Sequence, residues 1–248
     1  MSTTYLITGA TRGIGIELAK QLSENESNHV IGTYRSDSSA KQLFELASKR
    51  KNVDTVKLDV SDEASIKLLP KQLDAITSKL DIVIFNAAIA DSYIPILKTP
   101  LSVWQEHFQT NTFGPVLIFQ QVYPYLKKSD HPAAHFISSV AGSIGYELPF
   151  QVGAYGASKA ALNYIVKKIG EQHPELVTSM LHPGMVETTM GRYGFDTFNA
   201  LSEDSKPVVE DGTTVSPALS ATRIIQAIED PATNGKFIDV ADRSVIPF

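Results

Sequence analysis

Seven short apolar runs alternate with stretches whose apolar residues recur at helical spacing, and this alternation restricts the fold more than any other feature of the chain. The runs lie near 3–8, 28–34, 53–59, 81–86, 133–138, 176–181 and 236–240, and the spacing between them predicts helices near 13–25, 38–49, 62–78, 101–127, 153–172 and 215–229. Short continuous apolar runs suit strands buried on both faces of a parallel sheet, each joined to the next by a covering helix. The expected fold class is α/β: a doubly wound, mostly parallel, seven-stranded sheet with helices on both faces. A chain of 248 residues, 43% of them hydrophobic, buries such a core as a single domain over 1–248. No repeat or linker breaks the series, and the polar, glycine-bearing stretch 187–213 reads as a mobile loop.

Composition removes several classes of chemistry. With no cysteine there is no thiol nucleophile or thiolate metal site, and the six histidines show no paired ligand spacing, so no metal is expected. A net charge of −5 without a long basic run leaves no electrostatic footprint for nucleic acid. The first apolar run, Tyr5-Leu6-Ile7, passes straight into a glycine-rich turn, leaving no room for a signal peptide, and no later run approaches membrane-spanning length. A cytoplasmic protein without membrane partners is expected, and the Asn25-Glu26-Ser27 sequon is then a chance match.

That turn, Thr8-Gly9-Ala10-Thr11-Arg12-Gly13-Ile14-Gly15, ends the first strand and opens the first helix. Backbone N–H groups and the helix dipole at such a place are positioned to hold a pyrophosphate, which makes the sheet Rossmann-type and the domain dinucleotide-binding. The glycine spacing, Gly-x-x-x-Gly-x-Gly, departs from the commonest dinucleotide fingerprint, Gly-x-Gly-x-x-Gly.

In Tyr155-Gly156-Ala157-Ser158-Lys159-Ala160 a phenol and an ammonium lie four residues apart on one helical face, which continues through Leu162, Val166 and Ile169. Taken alone the pair reads more readily as a core tyrosine beside a snorkelling lysine, and the remaining motifs must overturn that reading. As a catalytic pair, lowering a phenol's pKa by about three units takes roughly 4 kcal/mol, more than one solvated lysine supplies. Further positive charge must converge there, so the pair asks for a cofactor.

Five regions together resemble the short-chain dehydrogenase/reductase family in its single-domain branch: the glycine turn, Asp59 after the third strand, Asn86-Ala87-Ala88 after the fourth, Ser138-Ser139 after the fifth, and Tyr155 to Lys159 ahead of Pro183-Gly184. The long Ser139-to-Tyr155 interval, with Ser143 to Phe150 inserted, and the terminal Gly235 to Asp239 segment make the chain most similar to the sniffer-like NADPH-dependent carbonyl reductases. The resemblance implies reduction of a ketone or aldehyde to an alcohol. Tyr155 would be the general acid, or the base in reverse; Lys159 would lower its pKa and bind the nicotinamide ribose; Ser139, rather than Ser138, would hold the substrate oxygen. Asn111 matches the fourth catalytic position. Pro115 has no N–H for the carbonyl of residue 111, so in a continuous helix that carbonyl is left free, where the family holds a relay water.

The cofactor-binding set implied is Gly9, Thr11, Arg12, Gly13, Ile14, Gly15, Tyr34, Arg35, Asp59, Val60, Asn86, Ala87, Ala88, Tyr155, Lys159, Pro183, Gly184, Val186 and Thr188. An NAD enzyme ends its second strand with a carboxylate for the adenosine ribose; Tyr34-Arg35 stands there instead, and Arg35 with Arg12 suits a 2′-phosphate, giving NADP(H) as the cofactor. Asp37 competes with this reading if the strand boundary shifts. Ala88 stands where the family carries glycine, and costs something if that position needs a positive φ. Ile144, Tyr146, Phe150, Met185, Tyr193 and Phe195 are the expected walls of a mainly apolar pocket for a small carbonyl or alcohol substrate. The family likeness implies a homodimer or homotetramer paired through the helices at 101–127 and 153–172, a habit less uniform in the sniffer-like branch. The alternatives are a catalytically idle NADP(H)-binding redox sensor or scaffold, and an NAD-dependent alcohol dehydrogenase.

Overall fold

The computed structural model describes residues 2–148, 152–200 and 214–248, without the side chains of 195 and 198–200. Strand β1 (Thr4–Ile7) is buried along its length in the interior of one parallel sheet. It is flanked by β2 (His29–Tyr34) and β3 (Val53–Lys57) on one side, and by β4 (Ile82–Phe85), β5 (Ala133–Ile137), β6 (Val177–His182) and β7 (Phe237–Asp239) on the other, in the order β3-β2-β1-β4-β5-β6-β7. All six pairings are parallel. The seven predicted strands are therefore present, and the order of growth reverses between β1 and β4. In an open α/β sheet that reversal leaves a crevice beyond the strands' carboxyl ends, the usual seat of a ligand.

Alternate residues of each strand face opposite layers. Leu6, Val83 and Phe136 join α3 (Glu63–Asp74), α5 (Gly114–Leu126) and α6 (Gly153–Gln172) in one core. Tyr5, Ile7, Ile84 and Ile137 join α1 (Gly13–Leu22), α2 (Lys41–Lys49) and α8 (Pro217–Ile228) in the other. The register partners Phe85 and Phe136 stack with centroids 4.2 Å apart and planes 2° from parallel. Each large side chain so buried contributes roughly 1.5–3 kcal/mol, which fixes the strand ends from which the site is built.

Two helical regions differ from the expected ones. The stretch 101–127 is not one continuous α-helix: α4 (Leu101–Phe108) passes through a π-helical turn, Gln109–Phe113, before α5 begins. Pro115 has no N–H to donate, and Gly114 donates to the Gln109 carbonyl five residues back. A side chain at Gly114 would collide with the Val60 carbonyl oxygen, so the wide turn presses directly on the loop after β3. The stretch 187–213 contains helix α7 (Thr189–Ala200), whose first turn is held by the Thr188 hydroxyl accepting the Gly191 N–H at 3.0 Å. Residues 201–213 lie outside the described residues. Among the described residues no helix is long and apolar enough to cross a membrane.

Candidate active site

The glycine turn is stitched to both neighbouring strands. The Thr8 hydroxyl accepts the N–H groups of Asn86 (2.9 Å) and Ala87 (3.0 Å), the Asn86 amide donates to the carbonyls of Thr8 and Gly9, and Thr33 accepts the Gly9 N–H at 3.0 Å. Asn86, expected against the cofactor, thus spends its side chain on the turn. Gly13 has φ +54° and lies against the Thr188 methyl, and a Cβ at Gly15 would strike the Gly9 carbonyl. Arg12, at the N-cap of α1, makes no side-chain hydrogen bond to the helix, so the first-turn N–H groups have no side-chain cap. A glycine cradle with uncapped donors fits a pyrophosphate.

β2 ends at Tyr34, whose ring meets Phe44 edge-on at 4.9 Å; Arg35 is exposed, and Asp37 lies beyond it in a separate turn, Asp37–Ser39. Among the described residues neither Arg12 nor Arg35 belongs to an ion pair. Arg35, Lys57 and Lys71 share a cavity of about 620 Å³ with Asp59 and Asp62. Asp59 accepts both the N–H and the hydroxyl of Ser61 through one oxygen, so it shapes its own turn. Ala88 does not have a positive φ: among the described residues Arg243 alone of the non-glycines does, so the position accepts alanine without left-handed strain.

Helix α6 carries Tyr155 and Lys159, and β5 delivers the two serines to their side. Ser138 is buried and donates to the Asn163 side chain at 2.6 Å, whereas the Ser139 hydroxyl accepts the Ala141 N–H and hydrogen-bonds the Tyr155 phenol. Asn163, one turn beyond Lys159, also donates to the Gly142 carbonyl at 3.3 Å, and so holds both ends of the Ser139 turn. The next stretch is tied elsewhere: the Ser143 hydroxyl donates to the Pro247 carbonyl at 2.5 Å and the Gly145 N–H to that of Phe248 at 3.3 Å.

Lys159 is 2% exposed; its ammonium donates to the Ile137 carbonyl at 2.8 Å and stands 5.9 Å from the centre of the Tyr155 ring. Burial pushes the lysine down to about 7 and the phenol up to about 12, with the Ser139 hydrogen bond pulling the phenol the other way. The lowering expected from Lys159 does not arise within the protein's own groups, where desolvation raises the Tyr155 pKa and Ser139 alone opposes it. The Asn111 side chain is fully engaged, exchanging bonds with the N–H and carbonyl of Ile89 and donating to the Ser158 hydroxyl. Only its main chain is left to serve a proton relay.

The expected substrate walls divide. Met185, like Tyr155, packs against the buried pair Ala90 and Tyr93, and Tyr193 stands 46% exposed on α7. Ile144 does not: it is 88% exposed and lines a separate cavity of about 560 Å³ with Gly153, Gly156 and Ala160, small residues on the face of α6 turned from Tyr155. Tyr146 is exposed, Phe150 lies outside the described residues, and of Phe195 only the helical backbone is described. Pro183 and Gly184 form the turn after β6, where Gly184 has φ +83°; Val186 bridges Val215 and is buried.

The family model described as short chain dehydrogenase matches residues 3–197. An oxidoreductase of Saccharomyces cerevisiae is 43% identical over 245 residues, 95% of this chain and 94% of that protein. Two solved structures superpose over the full length of both chains: the NADPH-bound carbonyl reductase from chicken fatty liver, with TM-score 0.85 and 30% identity, and the carbonyl reductase Sniffer of D. melanogaster, with TM-score 0.86 and 25% identity.

Proposed function

Since the chain belongs to the short-chain dehydrogenase/reductase family and is an oxidoreductase of that type, we propose that it reduces a ketone or aldehyde to the alcohol with NADPH. The observation that carries this reading is the grouping of Ser139, Tyr155 and Lys159 beyond the end of β5, in a sheet whose strand β1 runs into the uncapped glycine turn. Bound there, the reduced nicotinamide supplies the hydride. The turn from Gly9 to Gly15 holds the pyrophosphate, with Thr11 and Ile14 beside it, and Arg12 and Arg35 hold the 2′-phosphate. Asp59 and Val60 flank the adenine; Asn86, Ala87 and Ala88 back the ribose and nicotinamide; and Pro183, Gly184, Val186 and Thr188 pass the carboxamide. Ser139 donates to the substrate carbonyl oxygen, and Tyr155 gives that oxygen its proton. Lys159 holds the ribose, and its charge steadies the phenolate left behind. The main chain of Asn111, inside the π-turn, leads to the water that returns the proton. A panel of ketones and aldehydes assayed with NADPH and NADH tests the proposal: turnover of none with either cofactor would refute it.

Asn163 is a positioning residue that sequence reasoning missed. Losing its amide leaves the buried Ser138 hydroxyl and Gly142 carbonyl without partners, a cost of about 1–3 kcal/mol for each group, and frees the turn bearing Ser139. Asn163→Ala is expected to lower kcat by about tenfold while leaving the NADPH dissociation constant within about twofold. Steady-state kinetics with cofactor titration checks it. An equal loss in cofactor affinity would mean general destabilisation rather than a misplaced serine.

A further inference from the structure

Beside Tyr155 lies a third apolar cluster, separate from the two that cover the sheet. Ala90 and Tyr93 are its buried members, and Val152, Tyr155, Met185 and Met190 pack against them. Four parts of the chain meet here: the loop after β4, the start of α6, the turn after β6, and α7. The Tyr93 ring is 8% exposed, and Tyr193 reaches it from α7 with centroids 5.6 Å apart and planes tilted by 40°. The Tyr93 hydroxyl donates to the carbonyl of Ala90, the other buried member of the cluster, at 3.4 Å, and its ring packs at a tilt against that of Tyr193. Desolvation raises the Tyr93 pKa, as an apolar setting requires.

We propose that Tyr93 and Tyr193, with Met185 and Met190, form an aromatic and thioether box beside Tyr155 that selects carbonyl compounds bearing a planar aromatic ring next to the carbonyl, with Tyr93 as its principal specificity-determining residue. The proposal rests on the carbonyl-reductase reading and names the substrate class of that same site. Ring faces and edges carry opposite partial charge, so two tyrosines at a tilt offer a flat ring both an edge and a face, and the sulfurs of Met185 and Met190 add contacts to its rim. A saturated ring of similar volume is puckered and has no quadrupole, so it gains burial alone. One aromatic pair at 25 °C multiplies an affinity by about 2- to 13-fold. Methionine's flexible chain lets the box take rings of different outline.

The test compares acetophenone with cyclohexyl methyl ketone, which share a carbon skeleton and differ in the ring's aromaticity. The ratio of their kcat/KM values with NADPH cancels effects common to both. Tyr93→Leu and Tyr193→Leu are each expected to lower that ratio at least about fivefold relative to wild type, and Tyr93→Phe to keep it within about twofold. Calorimetric binding of both ketones to the protein saturated with NADP+ should show the same loss of preference. Leucine variants that depress both ketones equally, or leave the ratio unchanged, would overturn the proposal. An aromatic preference in binding that falls in the leucine variants, without turnover of any carbonyl compound, would keep the box and refute the reduction reading instead. NADPH affinity measured on each variant confirms that it is folded.

Discussion

Tyr155→Phe is expected to abolish turnover, lowering kcat by about 100- to 10,000-fold, while the NADPH dissociation constant stays within a few-fold of wild type. The change removes one acidic proton and almost no volume from a ring that packs against Ala90 and Tyr93, so the cluster stays packed. What is lost is the proton for the substrate oxygen, and the Ser139 hydroxyl loses its phenol partner with it. The direction of reaction bears on the same residue. With burial holding the phenol up at about 12, it is protonated throughout the neutral range, ready as an acid but costly to ionise as a base. Below a group's pKa the ionised fraction grows tenfold per pH unit, so alcohol oxidation should accelerate as pH rises from about 7 to about 9. Carbonyl reduction should stay nearly flat on the acid side of neutrality. Kinetics in both directions, with a cofactor titration of the variant, decide both points. A phenylalanine variant turning over within a few-fold of wild type would remove Tyr155 from the mechanism.

A preference for NADPH over NADH of about 100-fold or more in kcat/KM is the second large effect expected, reduced at least about tenfold by Arg35→Ala. β2 stops at Tyr34, so the next side chain along is a guanidinium, and the Asp37 carboxylate is carried off into its own turn. The boundary shift that would bring Asp37 to the strand end does not occur. Arg12 stands at the N-cap of α1, and neither arginine is committed to a carboxylate among the described residues. Two planar forks on one dianion, with hydrogen bonds worth roughly 1.5–3 kcal/mol each, would account for the size of the preference. Equal efficiency with NADH in the wild type would sink it. A preference that survives Arg35→Ala would transfer the discrimination to Arg12 or Lys57.

The sheet was legible because its strands are continuous apolar runs bounded by glycine and polar residues, and because parallel pairing with intervening helices follows from that pattern. The common helical face of Tyr155 and Lys159 was legible through their spacing, and Ser139 through the family resemblance. What was hidden depends on distant backbone. The π-turn forms where Gly114 meets the Val60 carbonyl, a contact without any local signal beyond Pro115. Helix α7 contains Gly191 and Gly194, which read as loop residues, yet Thr188 holds its first turn. Tyr93 lies in a stretch without periodicity, and its packing depends on residues about a hundred positions away. Asn163 sits on the polar edge of an amphipathic pattern, where a buried partner such as Ser138 cannot be seen. The balance of pKa values at Tyr155 and Lys159 follows from burial, which spacing does not report.

The ties from Ser143 and Gly145 to Pro247 and Phe248 join stretches 104 residues apart in sequence. Local opening in proteins proceeds by cooperative units rather than by sequence neighbourhood. The loop that leaves Ser139 therefore opens in concert with the segment after β7. Hydrogen exchange at the Gly145 amide is expected to gauge the detachment of that distant segment, while Asn163 keeps the turn bearing Ser139 closed.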